Sequence, residues 1–450
     1  MKLAIIGGGG FRVPLVYRAL LADTGRPRVD DVALYDTSPE RLQVMSSVLA
    51  HQAEGVPDAP RIHTTTDLDE ALGGAQFVFS AIRVGGVEAR TQDERVALRL
   101  GVLGQETTGP GGLAYGLRTI PAAQRIAERV KDLAPDAYII NFTNPAGMIT
   151  EAMQRVVGDR VIGICDTPSG LGRRISAVLG VDPKRVQLDY VGLNHLGWMR
   201  RLIVDGHDRL PELLADETAL AGLEEGTIFG VPWLQSLGCV PNEYLYYYYF
   251  NRDAVRSIRS QEATRGEFLV RQQADFYAAA ADNPDKAFDL WHRTIAERRA
   301  LYMAEAKGTR VEDVQPTEEP VSSGYEGVAL GVMAAIARNE RSTMILNVRN
   351  NGALPGLDAD AVVELPSTVD ANGAHPLATS PPDLHQLGLI QQVKMVERLT
   401  IEAATTGSPD AALKAFALHP LVDSVRVGRE LLDGYVDAIP EVAQALGARR

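Results

Sequence analysis

The chain begins with a short apolar run, residues 3–6, that leads directly into four consecutive glycines, residues 7–10. A strand followed by a glycine turn and a helix directs backbone N–H groups and the positive helix N-terminus at a phosphate. The usual dinucleotide fingerprint has a third glycine three places after the second, and Arg12 occupies that position here. The turn therefore predicts a dinucleotide site with looser helix–strand packing, against the alternative of a plain tight turn.

A second strand-like run, residues 32–35, ends at Asp36. A carboxylate at this place in a βαβ unit bonds the ribose hydroxyls of NAD and repels the extra phosphate of NADP. The glycine turn and Asp36 together predict NAD as the cofactor.

The first third of the chain alternates strand-like and helix-like segments, which predicts a doubly wound parallel sheet. The predicted elements are a helix over 13–22, a helix opened by Ser38 and Pro39, a helix over 118–133, and buried strands over 76–82, 137–142 and 161–165. We expect an α/β protein with an N-terminal Rossmann-like NAD-binding domain (1–165). A C-terminal α+β domain (166–450) would serve catalysis, substrate binding and oligomerisation, an arrangement that resembles lactate and malate dehydrogenases.

The second part of the chain has a different pattern. Residues 252–305 are rich in Arg, Glu, Gln and Ala and predict long helices, and 388–405 and 411–418 predict closing helices. Residues 350–380 are rich in Pro, Gly and Asn and predict loops. The aromatic run 244–250, YLYYYYF, is typical of a strand with aromatic packing.

Charge and composition exclude several classes of protein. The 450 residues carry 45 Lys and Arg against 58 Asp and Glu, a net charge of −13, which argues against a nucleic-acid or membrane-surface partner. Two cysteines do not make a disulfide framework, and no apolar run is long enough for a membrane span or a signal peptide. We therefore expect a cytoplasmic protein acting on a small molecule.

Polar groups cluster in four stretches where predicted strands end, which is where ligands bind in open parallel sheets. Cys165 and His195 are suited to a transition metal, although a buried thiol and a satisfied buried histidine are the plainer interpretations. Glu106 lies in a glycine-rich loop and is either a turn residue or a site carboxylate. Asn144 precedes Pro145, so its amide can face a ligand or cap the next helix.

Three arginines could grip an anion. Arg83 and Arg90 follow a buried strand, and Arg349 lies in the polar loop NVRNNG. The alternatives are a surface turn for Arg349 and a solvated helix face for Arg90, four residues before Glu94.

Seven stretches together resemble glycoside hydrolase family 4: RVGGVEARTQDE, GVLGQETTGPGG, LRTIP, NFTNPAGMIT, CDTP, GLNHLGW and NVRNNGA. They are long and occur in the family's order, and the resemblance extends from residue 1 to about residue 430. Within the family, these motifs are most similar to those of the 6-phospho-β-glucosidase branch.

The resemblance implies a hydrolase that needs NAD+ and a divalent metal, usually manganese, and that departs from the two-carboxylate scheme of most glycosidases. The family oxidises carbon 3 of the sugar transiently, removes the proton on carbon 2, eliminates the aglycone, adds water and returns the hydride. The metal acts as a Lewis acid on the sugar oxygens. NAD+ is not consumed.

Motif matching assigns roles to individual residues. It implies Cys165 and His195 as metal ligands and Tyr244 as the carbon-2 base, a phenol whose pKa must be lowered by nearby positive charge. The other assigned residues are Asp166 and Glu106 in acid–base or supporting roles, Asn144, Asn194, Arg90 and Arg349 for the substrate, and Gly7, Gly8, Gly9, Gly10, Phe11, Arg12, Asp36, Ile82, Arg83 and Thr143 for the cofactor. The resemblance further suggests a homodimer or homotetramer.

Three departures from the family pattern leave alternatives open. Gly10-Phe11-Arg12 replaces a serine-containing turn, Asp166 replaces the Asn usual in the β-acting branch, and Tyr246 replaces an Arg. The same mechanism on an unphosphorylated, uronic, sulfonated or α-linked glycoside is therefore the first alternative. A simple NAD-dependent 2-hydroxy-acid dehydrogenase is the second, and the length of the chain and the metal-ligand pair argue against it.

Overall fold

One mixed sheet runs through the computed structural model, which describes residues 1–307 and 324–447. Its strands are β1 (Lys2–Ile6), β2 (Asp31–Tyr35), β3 (Arg61–Thr65), β4 (Phe77–Ser80), β5 (Tyr138–Asn141), β6 (Val161–Gly163), β7 (Val186–Leu193), β8 (Leu196–Val204), β9 (His207–Asp208), β10 (Val240–Pro241), β11 (Ser342–Arg349), β12 (Val362–Asp370) and β13 (Gly373–Pro376).

Helices surround this sheet. They are α1 (Val13–Ala22), α2 (Pro39–Ala53), α3 (Leu68–Leu72), α4 (Gly86–Arg99), α5 (Pro110–Leu133), α6 (Ala146–Val157), α7 (Thr167–Val178), α8 (Leu210–Ala215), α9 (Glu217–Ala221), α10 (Glu224–Phe229), α11 (Val231–Leu237), α12 (Tyr246–Tyr249), α13 (Asn251–Ser260), α14 (Arg265–Asp282), α15 (Ala287–Ala300), α16 (Ala304–Lys307), α17 (Tyr325–Arg338), α18 (Leu384–Thr406), α19 (Pro409–Ala417), α20 (Val425–Ala438) and α21 (Pro440–Ala445).

The N-terminal half of the sheet is parallel and has the order β3-β2-β1-β4-β5-β6. Strand β1 is central, so both of its faces are covered. Leu3 and Ile5 pack into one apolar cluster, and Ala4 and Ile6 pack into the other. This order confirms the Rossmann-like, doubly wound fold expected from the alternating pattern.

The sheet continues past the parallel half. Strand β11 pairs antiparallel with β6 through Asn347 and Gly163, and β12, β7, β8 and β10 extend the sheet from there. The two predicted domains therefore share one sheet, and their division at residue 165 stays a prediction.

Local signals placed the helix starts well. The Ser38 side chain accepts a hydrogen bond from the Arg41 N–H, and Pro39 begins α2, as a serine cap followed by proline predicts. The helices expected over 252–305 are α13, α14 and α15, and the two closing helices are α18 and α19.

Two local interpretations were wrong. The aromatic run 244–250 is a 3-10 turn, Glu243–Leu245, followed by α12, because buried helical packing outweighs the β preference of tyrosine. Residues 350–380, expected to be loops, contain β12 and β13, and the last helices α20 and α21 were not foreseen. Among the described residues, no helix has both the length and the apolar character to cross a membrane.

Candidate active site

A cavity of about 1510 Å³ opens where the parallel strands end. Its lining includes the residues that directly follow β1, β2, β4 and β6, namely Gly7, Asp36, Ala81 and Ile164. This is the edge at which open α/β sheets bind their ligands.

The glycine turn is held by backbone contacts that leave no room for side chains. Gly7 and Gly8 both donate their N–H groups to the Tyr35 carbonyl. Gly7 has a φ of +95°, and a Cβ atom there would lie 2.5 Å from the Ala81 carbonyl oxygen. The turn therefore requires glycine at this position.

Asp36 is already oriented by the turn. One of its carboxylate oxygens accepts the Gly9 N–H at 2.9 Å, and the other accepts the Ser38 N–H at 3.1 Å. A carboxylate oxygen has a second lone pair, so each can still accept a hydroxyl of the kind a ribose presents.

Arg12 stands at the start of α1 and lines the cavity. Its guanidinium lies 5.2 Å from the ring centre of Phe142 and 5.1 Å from that of Tyr325. These cation–π contacts hold the side chain without neutralising its charge.

Glu106 is gripped by two arginines. Its carboxylate lies 2.7 Å from Arg83 and 2.8 Å from Arg90, and Arg90 also pairs with Glu94 at 3.1 Å. Burial opposes ionisation of Glu106, but the two guanidinium groups outweigh it and lower the pKa to about 2. Glu106 is therefore an anion at neutral pH, which favours a supporting role over proton donation. Arg90 is buried rather than on a solvated face.

Cys165 and His195 both line the cavity and are both buried. The Nδ1 atom of His195 lies 3.1 Å from the Thr107 hydroxyl, so Nε2 remains for another partner. Burial raises the pKa of the Cys165 thiol well above its usual value and lowers the pKa of His195 to about 3. A neutral imidazole and a thiol that needs a cation to ionise are the forms in which metal ligands begin.

Tyr244 lies against His195. The two rings are parallel within 1°, with their centres 3.6 Å apart. The Asn242 side chain accepts the Tyr244 N–H at 3.0 Å and so fixes the short 3-10 turn that carries the tyrosine. Burial raises the pKa of the Tyr244 phenol well above its ordinary value, so it requires nearby positive charge to act as a base.

Asn144 and Asp166 complete the wall. The side-chain oxygen of Asn144 is buried and has no hydrogen-bond partner among the described residues, which suits it to a ligand hydroxyl. It does not cap α6, so the alternative capping role is wrong. Asp166 precedes α7 and also lines the cavity.

Five residues proposed for the site do not line this cavity. Arg349 instead pairs with Asp159 and Asp360, so it is committed elsewhere. The Asn194 side chain bonds the Ala146 N–H and Glu364, and thus holds the start of α6. The remaining three support the lining from behind: Gly8, Gly9 and Thr143, whose hydroxyl accepts the Ile82 N–H at 3.0 Å.

Several cavity residues had no signal in the sequence. Arg265 and Arg298 come from α14 and α15, and with Arg12 and Arg90 they place four guanidinium groups on the cavity wall. Burial, together with Arg12, Arg265 and Arg90, lowers the pKa of Arg298 to about 9. Arg90 pairs with Glu94 and Glu106, whereas Arg12 and Arg298 form no ion pair with a described residue and contact aromatic rings instead.

Two protein-family models match this chain, one in each half. The model for "Family 4 glycosyl hydrolase" matches residues 2–181, and the model for "Family 4 glycosyl hydrolase C-terminal domain" matches residues 190–422. This chain belongs to glycoside hydrolase family 4. Two family 4 relatives from Bacillus subtilis strain 168 are each 30% identical over 97% of this chain. They are a probable 6-phospho-beta-glucosidase, covered over 96% of its length, and a maltose-6'-phosphate glucosidase, covered over 95%.

Solved family 4 structures match over nearly the whole chain. The 6-phospho-beta glucosidase from Thermotoga maritima, solved with manganese, NAD+ and glucose-6-phosphate, is 28% identical with a TM-score of 0.82, and the match covers 98% of this chain and 99% of that one. A 6-phospho-alpha-glucosidase from gut microorganisms, solved with NAD and Mn2+, is 27% identical with a TM-score of 0.78 and 98% coverage of both chains.

The described residues fit both groups. For the dinucleotide, Gly7 has the positive φ of the glycine turn, and Asp36 at the end of β2 keeps lone pairs free for ribose hydroxyls. For a metal, no group of three or more His, Cys, Asp or Glu side chains is found in the described part of the chain. Cys165 and His195 would thus leave the remaining coordination positions open to substrate or water, whereas a structural site is closed by protein ligands.

Proposed function

We propose that this chain hydrolyses 6-phosphoglucosides, with the β-anomer as the first candidate, using NAD+ and Mn2+. The observation that carries the proposal is that a single cavity joins the glycine turn, the Cys165–His195 pair, Tyr244 and a wall of arginines. The family 4 proteins with NAD, manganese and glucose-6-phosphate bound support it.

The arginine wall supports an anionic sugar. Two of its four members, Arg12 and Arg298, have cation–π contacts and no ion pair among the described residues. Burial and positive neighbours lower the pKa of Arg298. An oxyanion bound beside it would stabilise its charged form. A sugar phosphate supplies that charge and the bidentate geometry that arginine prefers.

Each residue has a defined task in the proposed reaction. Cys165 and His195 would hold the metal, Asn144 would bond a sugar hydroxyl, and Tyr244 would take the proton from carbon 2. When bound, NAD+ accepts and returns the hydride and the metal polarises the sugar oxygens. Glu106 stays ionised and keeps Arg83 and Arg90 in place.

An α-linked 6-phosphoglucoside is the second candidate. Asp166 lines the cavity next to Cys165, and a carboxylic acid there could protonate a leaving oxygen. We further propose a cytoplasmic homodimer or homotetramer and the division into domains at residue 165.

The test is release of p-nitrophenol from α- and β-glucosides, each with and without a 6-phosphate. The purified chain would be assayed with NAD+, Mn(II) and a thiol reductant, and omission of each cofactor serves as the control. Hydrolysis of the phosphorylated β-substrate is expected, whereas hydrolysis of the phosphorylated α-substrate alone would select the second candidate. Turnover of neither phosphorylated substrate, or full activity without NAD+, would overturn the proposal.

A further inference from the structure

Tyr302 lies beside Tyr244 although the two residues are 58 positions apart in the chain. Its hydroxyl oxygen is 3.0 Å from the Tyr244 hydroxyl and 3.0 Å from a carboxylate oxygen of Glu243. All three residues line the cavity. We propose that Tyr302 and Glu243 are positioning residues that set the orientation of the Tyr244 hydroxyl, an inference that rests on the proposed role of Tyr244 as the base.

The direction of the hydrogen bonds carries the argument. The Tyr302 hydroxyl has one hydrogen and two neighbouring oxygens, so it can donate to only one of them. A Tyr244 that removes a proton acts as a phenolate, which can only accept, so Tyr302 donates its hydrogen to Tyr244. The protonated form of Glu243 then donates to the Tyr302 oxygen. This hydrogen bond occupies one lone pair of the Tyr244 oxygen and leaves another for the substrate proton.

Glu243 is anchored at its other end. Its second oxygen lies 3.6 Å from Arg174, and Arg174 also pairs with Glu225 and, at 3.4 Å, with Glu224. Burial, opposed by Arg174 and reinforced by the other two carboxylates, raises the pKa of Glu243 to about 8. A buried carboxylate held on both sides cannot rotate freely, so it fixes the place of the Tyr302 hydroxyl.

A positioning role for Tyr302 predicts a different experimental result from a purely structural role. Within the described residues, Tyr302 is the hydrogen-bond partner of the Tyr244 hydroxyl. Loss of that bond misplaces the base without removing a substrate contact. Proton removal from carbon 2 should therefore slow down while substrate affinity is kept.

The experiment compares Tyr302→Phe with the wild type on p-nitrophenyl 6-phosphoglucosides carrying deuterium at carbon 2 or at carbon 3. We expect kcat to fall by about 10- to 100-fold with little change in KM. The carbon-2 isotope effect should rise and the carbon-3 isotope effect should not. Tyr249→Phe is the matched control, because its hydroxyl bonds Trp198 and His385 and does not line the cavity.

A second variant keeps the inference testable if Tyr302→Phe does not fold, as judged by NAD+ binding. Glu243→Gln keeps an N–H group that can donate to the Tyr302 oxygen, so it should retain much more activity than Glu243→Ala. Equal loss in both variants, or a Tyr302→Phe enzyme with normal kcat, would overturn the inference. If the wild type shows no carbon-2 isotope effect and exchanges no carbon-2 proton with solvent, the proposed function fails instead.

Discussion

At the scale of single residues, the balance between burial and neighbouring charges sets the charge of Glu106 and of Tyr244. Glu106 is an anion because two arginines outweigh its burial, whereas burial raises the pKa of the Tyr244 phenol well above its ordinary value and keeps it neutral. Two arginines of the cavity lining, Arg12 and Arg298, form no ion pair with a described residue. The cavity therefore suits a negatively charged ligand beside these arginines. Beside Cys165 and His195 it suits a cation.

Tyr244→Phe tests the base directly. The variant keeps the ring that stacks on His195 and loses only the hydroxyl. We expect kcat to fall by about 10²–10⁴-fold, the usual contribution of a general base, while NAD+ binding measured by titration is unchanged. Normal turnover in this variant would remove Tyr244 from the mechanism.

Cys165→Ser tests the metal site. If Cys165 is a metal ligand as proposed, replacing its thiol by a hydroxyl should weaken manganese binding, because the hydroxyl ionises far less readily. We expect the Mn(II) concentration for half-maximal activity to rise by about tenfold or more. Cys239→Ser is the matched control, since that buried thiol lies outside the cavity. An unchanged manganese response in Cys165→Ser would place the ligands elsewhere.

At the scale of elements, charged pairs join helices that are far apart in the chain. Glu151 on α6 lies 3.0 Å from Lys394 and 2.8 Å from Arg398, both on α18, and it accepts the Val362 N–H. Burial opposes ionisation of Glu151, but these partners lower its pKa to about 2. These ion pairs tie α18 to α6, which packs on the parallel half of the sheet.

The sign of the resulting pH dependence follows from that lowered pKa. The stabilisation is complete above the ordinary glutamate pKa of 4.5 and is lost as the pH falls towards the folded value of about 2. Glu151→Gln should lower the free energy of unfolding at pH 7 by about 3 kcal/mol and flatten its decline in acid. Chemical unfolding at several pH values measures both effects. Asp69→Asn, at an exposed pair with Arg129, is the control and should change little.

At the scale of the whole molecule, the sheet makes the two halves one unit. Strand β11 joins β6 where Gly163 faces Asn347, and a Cβ atom on Gly163 would lie 2.3 Å from the Thr150 hydroxyl oxygen. The junction is therefore closely packed, and neither half can unfold without exposing the edge of the other.

This continuity predicts a single thermal unfolding transition. Calorimetry and near-ultraviolet circular dichroism should give the same midpoint, and saturating NAD+ should raise that midpoint for the entire chain. Two separated transitions, with only the first responding to NAD+, would show that the halves unfold independently.

Sequence alone was sufficient for the features that depend on neighbours in the chain. The strand–glycine–helix order, Asp36 at the end of β2 and the Ser38 cap follow from local periodicity and backbone preference. Motif matching also named Cys165, His195 and Tyr244, which the structure brings to one cavity.

Only the tertiary structure decided which distant groups meet. The pairing of Tyr302 with Glu243, the crowding of Arg298 against Arg12 and the commitment of Arg349 to Asp159 join residues 59 to 286 positions apart. Such contacts depend on how the sheet is ordered and how the helices pack across it. No local sequence pattern encodes contacts between residues so far apart in the chain. The pairing of charges, the hydrogen-bond partners and the pKa shifts all depend on these long-range contacts. They could therefore be determined only from the folded structure.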